Sequence, residues 1–140
     1  MSPFDFYFTI DFILCCVFSL LFGYLIGYDR EKNNKPAGIV THTFVILGSA
    51  LFTMLSLTDA INPSRIAANI VTGIGFIGAG MIIKSDEKIE NLTTAAGIWA
   101  AAAIGMALGF KMHLVASLMV LTMFLARQLP HPNKKSKSDE

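Results

Sequence analysis

The side chains with the most capacity for chemistry gather at the first break in a strongly apolar sequence. Asp29-Arg30-Glu31-Lys32 closes one apolar run, Pro36-Ala37-Gly38 turns the chain, and Thr41 and His42 fall inside the start of the next run. A histidine there needs a polar partner, which Asp29 or Glu31 can supply, and a charge-paired imidazole beside a bilayer surface suits proton or cation sensing. The competing reading is a solvated loop whose long side chains snorkel to water. A second polar group, Arg65 and Asn69, shares one helix face near Asp59 and Asp11. It reads either as a rim salt bridge or as an arginine capping a polar pocket. His113 and His131 stand alone.

Backbone chemistry is conceivable in the third apolar run, where Gly73, Gly75, Gly78 and Gly80 fall within eight residues. Each glycine costs a helix ~1 kcal/mol relative to alanine. The run therefore reads either as close helix packing or as a broken helix whose free carbonyls face a wet cavity and could coordinate an ion. Its glycine spacing is wrong for a potassium filter. No HExxH, G-x-S-x-G, P-loop or CxxC pattern is present, and neither Ser19 nor Ser49 has a histidine near it to act as base. An enzyme is not expected, nor is a cofactor, and no set of metal ligands is identifiable.

The elements that must carry these residues are transmembrane helices. The 140 residues are 54% hydrophobic and only 15% charged, outside the balance of a soluble domain. A net charge of +1 with no basic patch argues against nucleic acid as a partner. The adjacent Cys15 and Cys16 cannot easily form a disulfide and read as small packing residues. Neither a lipoprotein site nor a cleaved signal peptide is evident. Spans are predicted at Phe12 to Tyr28, Ile39 to Leu57, Ile66 to Ile83, Leu92 to Phe110 and, in a tight hairpin, Met112 to Ala126.

Loop charges orient them. With the N-terminus outside, Arg30, Lys32, Lys35, Lys84, Lys88, Arg127, Lys134, Lys135 and Lys137 are cytoplasmic, nine of the eleven Lys and Arg residues. Arg65 and Lys111 remain outside. The expected organisation is a five-helix transmembrane domain over 1–127 and a basic cytoplasmic tail over 128–140.

Small residues recur at helical spacing in three spans. Asp11, Cys15, Ser19, Gly23 and Gly27 form one ridge, and Gly97, Ala101, Gly105 and Gly109 another; Ala68, Thr72, Gly75 and Ala79 form a third, thickened by Gly73, Gly78 and Gly80. Such ridges let membrane helices approach closely, and an i+4 row drifts by about 40° per step, which favours angled crossings. The expectation is an all-α membrane bundle with the glycine-rich third helix at its centre.

The motifs taken in order resemble the MgtC/SapB family of small membrane proteins. They are Gly23, Gly27 and Asp29-Arg30-Glu31; Lys35-Pro36-Ala37-Gly38 with Thr41-His42; Arg65-Ile66-Ala67-Ala68; the Gly73 to Gly80 run; and Leu92-Thr93-Thr94-Ala95-Ala96 with Trp99 and Gly105. The chain departs from the family pattern at Asp29, Val40 and Asn91, where Glu, Arg and Gly are usual. The resemblance implies a cytoplasmic-membrane protein of about five spans, tied to growth in low magnesium and to acid stress. Thr93 and Thr94 enter the candidate site through it. Some members are linked to inhibition of the rotary ATP synthase, which makes that complex a candidate partner.

Two functions follow as expectations. One is a regulatory protein that binds another membrane complex through its glycine-lined helices; the other is an oligomeric cation or proton transporter. A two-fold homodimer is expected in either case.

Overall fold

The computed structural model describes residues 3–58, 62, 64–85 and 88–129. Asp59, His131 and the tail over 130–140 lie outside the described residues. Five helices form in order: α1 (Pro3–Lys32), α2 (Ile39–Ser56), α3 (Arg65–Met81), α4 (Leu92–Gly109) and α5 (His113–Ala126). A two-residue-per-strand antiparallel ribbon, β1 (Ile83–Lys84) and β2 (Ile89–Glu90), joins α3 to α4. The expected third span ran to Ile83, but α3 stops at Met81 and Ile83 pairs with Glu90 instead.

Local chemistry explains the breaks. Pro3 begins α1, where its missing N–H costs nothing. At the other end Asn34 adopts φ 51°, and the amides of Asn34 and Lys35 donate to the carbonyls of Glu31 and Arg30, the paired bonds that close a helix with a left-handed residue. The same device ends α4: Lys111 sits at φ 62°, and the amides of Lys111 and Met112 donate to Leu108 and Ala107. This is the tight hairpin expected between the fourth and fifth helices. The Lys111 ammonium then pairs with Asp11 of α1 at 2.6 Å. Asn91, where the family pattern would have glycine, precedes α4 at φ 61°, a conformation that asparagine tolerates.

α1, α2 and α4 are long and apolar enough to cross a membrane. α3 and α5, with 17 and 14 residues, extend ~26 Å and ~21 Å at 1.5 Å per residue.

The glycine ridges decide how these helices meet. A side chain at Gly23 or Gly27 would run into the backbone of Thr43 or of Gly38 and Ile39, so α1 lies directly on α2. From the other side, Gly105 faces the Ile46 carbonyl and Gly109 the Ala50 carbonyl and Thr53. The expected ridges of α1 and α4 therefore both bury on α2, around a core that includes Cys15, Phe22, Ile46, Ala50, Ile104 and Leu108.

The third ridge behaves differently. α3 packs on α4 and α2 through its three buried residues, Ala67, Ile74 and Gly78, while Ala68, Thr72, Gly75 and Ala79 all face outward. Gly73, Gly75 and Gly80 have open space where a side chain would project, and Phe76 is 85% exposed. The expected central helix is thus peripheral, and α2 and α4 hold the middle. α3 is also continuous from Arg65 to Met81, so the broken-helix reading fails. Its glycines are tolerated because each i→i−4 bond survives without a side chain, as in any helix held by its neighbours.

Gly105→Ala should cost about 1–3 kcal/mol through overpacking against the α2 backbone, whereas Gly75→Ala should be neutral or stabilise by up to ~1 kcal/mol. The amount of SDS needed to unfold each variant in mixed micelles checks both signs.

Candidate functional site

The end of α1 and the start of α4 bring Arg30 against Thr94, and His42 lies on the first turn of α2, which packs on both helices. Arg30 is 6% exposed; its Nε donates to the Pro36 carbonyl at 3.0 Å and one Nη donates to the Thr94 hydroxyl. One side chain thereby ties the end of α1, the loop and the start of α4. Arg127, just past α5, donates from Nη1 to the Ile26 carbonyl and ties α5 to α1. Burial lowers the pKa of Arg127 from its ordinary value, and the Asp29 carboxylate works against that shift.

His42 is fully buried, and its Nδ1 lies 2.9 Å from the Gly38 carbonyl. That oxygen can only accept, so Nδ1 carries a proton, and in the neutral ring Nε2 keeps its lone pair. Nε2 has no hydrogen-bond partner among the described residues and faces Gly97, where an added Cβ would stand 3.9 Å away. The carboxylate partner expected for His42 is absent. Glu31 instead accepts from the Ile39 amide at 3.1 Å and caps α2, and Asp29 accepts from the Asn33 side chain at 3.1 Å. Both carboxylates are taken by donors close along the chain, and the buried imidazole is already paired with Gly38.

Asp29, Arg30, Lys35, Thr93, Gly97 and Arg127 line a cavity of about 270 Å³ between α1, α4 and α5. Thr41 is half-buried on the first turn of α2. Arg65 and Asn69 are not part of this group: they sit exposed on the first turns of α3, at the opposite end of the bundle. Asp11, expected near Arg65, pairs with Lys111. Among the described residues no three His, Cys, Asp or Glu side chains converge as metal ligands. Arg127 and Lys35 were not singled out from the sequence as site residues. Lys35 stood only within the motif Lys35-Pro36-Ala37-Gly38, and Arg127 only as the cation that ends the last apolar run.

Fold and site define a small helical membrane protein with a basic, partly buried polar cluster at one end. The MgtC family matches residues 16–135, and the chain belongs to that family. It is 41% identical to "Putative magnesium transporter YhiD" of Escherichia coli, over 83% of this chain and 61% of the relative. It is 40% identical to "Protein MgtC" of Salmonella typhimurium (79% and 49%) and 39% identical to "Protein MgtC" of Brucella abortus (79% and 47%). The chain thus spans about half to three fifths of these relatives' length. No solved structure matches it.

Gly97→Ser places a hydroxyl within reach of the orphaned His42 Nε2 and should stabilise the protein by about 1 kcal/mol. The same SDS titration checks this, and the gain should vanish in a His42→Phe background.

Proposed function

We propose that this chain is a regulatory membrane protein of magnesium homeostasis that acts by docking on another membrane protein rather than by moving ions itself. The observation that carries this reading is the outward small-residue face of α3. Ala68, Thr72, Gly75 and Ala79 offer the close backbone approach that drives helix association in lipid, and this chain does not use it. Beside that face lies an apolar groove of about 560 Å³ between α2 and α3, walled by Phe44, Gly48, Phe52, Asn69 and Gly73. Asn69 places an exposed amide on the groove, and polar groups at that depth gain from a partner helix. The membrane sector of the rotary ATP synthase is one candidate partner, on the family resemblance. The same face suits self-association into a two-fold homodimer.

The cytoplasmic membrane is the proposed location, with the N-terminus outside. Arg30, Lys32, Lys35, Lys84, Lys88 and Arg127 all fall at one end of the bundle, in keeping with retention of basic residues in the cytoplasm. The link to magnesium draws on the E. coli relative's name. That name also motivates the second reading, cation transport by an oligomer.

Gly75→Leu should insert and fold as the wild type does, because the position opens on lipid, yet fail to restore growth in low magnesium to a strain lacking its own copy. Liposomes holding only the purified protein should show no magnesium or proton flux. Robust flux in that assay overturns the regulatory reading in favour of transport.

A further inference from the structure

Arg30, Lys35 and Arg127 converge on the cavity between α1, α4 and α5, and Asp29 is the single carboxylate on its wall. Among the described residues no carboxylate lies within ion-pair distance of either arginine. Arg30 is more than nine-tenths buried, and the Arg127 guanidinium repels it. A desolvated cation is costly, and here one carboxylate, Asp29, faces two arginines, of which Arg30 is also repelled by Arg127. Two of the five N–H donors of Arg30 are committed, to Pro36 and Thr94, and one donor of Arg127 goes to Ile26. The remaining N–H groups, with the Lys35 ammonium, make a fork-and-point donor set suited to a phosphate.

What surrounds this cavity narrows the source of the phosphate. A second groove of about 380 Å³ shares Asp29 and Arg127 with it and runs along Tyr24, Leu25, Tyr28 and Phe124. Those side chains are about half exposed on the outside of α1 and α5, where lipid tails lie. A free phosphate would use the first cavity and leave the groove idle. A phospholipid uses both, with its headgroup among the cations and a tail on the aromatic track. Basic pockets between membrane helices hold anionic headgroups for this reason.

We infer that the cluster of Arg30, Lys35 and Arg127 binds the phosphate of an anionic phospholipid, one of whose acyl chains lies against Tyr24, Leu25 and Phe124. Arg30 is the fixed floor of the site, held by Thr94 and Pro36. Lys35 and Arg127 close over the headgroup from the loop and from α5. The α3 face takes no part, so the lipid site and the docking reading stand or fall separately.

The full chain, purified in detergent, is titrated in separate arms with dioleoyl phosphatidylglycerol, dioleoyl phosphatidylcholine and inorganic phosphate, and bound species are counted by native mass spectrometry. The expected result is one phosphatidylglycerol per chain, held about tenfold more tightly than phosphatidylcholine and weakened about tenfold by Arg127→Gln or Lys35→Gln. Lys35 is exposed on the loop, so Lys35→Gln keeps the test valid if Arg127→Gln fails to fold. Equal binding of the two lipids, or phosphatidylglycerol binding that Lys35→Gln leaves unchanged, overturns the inference. Displacement of bound phosphatidylglycerol by inorganic phosphate also overturns it, in favour of a free-anion site.

Discussion

Everything in this fold depends on how closely α1 and α4 approach α2. In a bilayer, lipid tails are as apolar as leucine, so helices gain by packing backbone against backbone rather than by escaping water. Gly23 and Gly27 on one side, and Gly105 and Gly109 on the other, remove the side chains that would hold those backbones apart. Small hydroxyls fill the remaining space: Ser19, Thr43, Ser49 and Thr53 are all buried along these contacts. Larger residues anywhere on the two seams would change the spacing of three helices at once.

The polar end of the molecule is a consequence of that spacing. Arg30 can reach Thr94 only because α1 and α4 are both drawn in against α2, and the bond then locks the level of the helix ends. Arg127 repeats the device for α5 through the Ile26 carbonyl. Both arginines therefore serve the fold while keeping donors to spare. The charge they bring is larger than Asp29 alone can balance, and the proposed lipid phosphate would offset the excess.

α3 obeys other rules. Its own contact with α4 and α2 runs through buried Ala67, Ile74 and Gly78, with Ile70 and Met81 partly buried beside them, and the rest of its small residues face away. A helix so rich in glycine would be marginal alone, so the outward glycines are a cost that local stability does not explain. The docking proposed above would account for it.

Five helices, their order, the tight hairpin at Lys111 and the inward faces of α1 and α4 were legible in the sequence, because apolar length and i+4 spacing are properties of each segment alone. Family membership was legible too, carried by motifs such as Lys35-Pro36-Ala37-Gly38 and Thr93-Thr94. Which ridge meets which helix was not. The same spacing occurs on α1, α3 and α4, yet burial belongs to a pair of surfaces, and only the packing shows that two ridges claim α2 and leave the third outside. The partners of the polar side chains were hidden for a similar reason. Glu31 and Asp29 found donors within eight residues along the chain, while Arg30 bonded to Thr94 across 64. Sequence determined which segments form apolar helices and which could pack closely; tertiary structure alone decided the neighbours, because contact across the bundle depends on distances that no single helix contains.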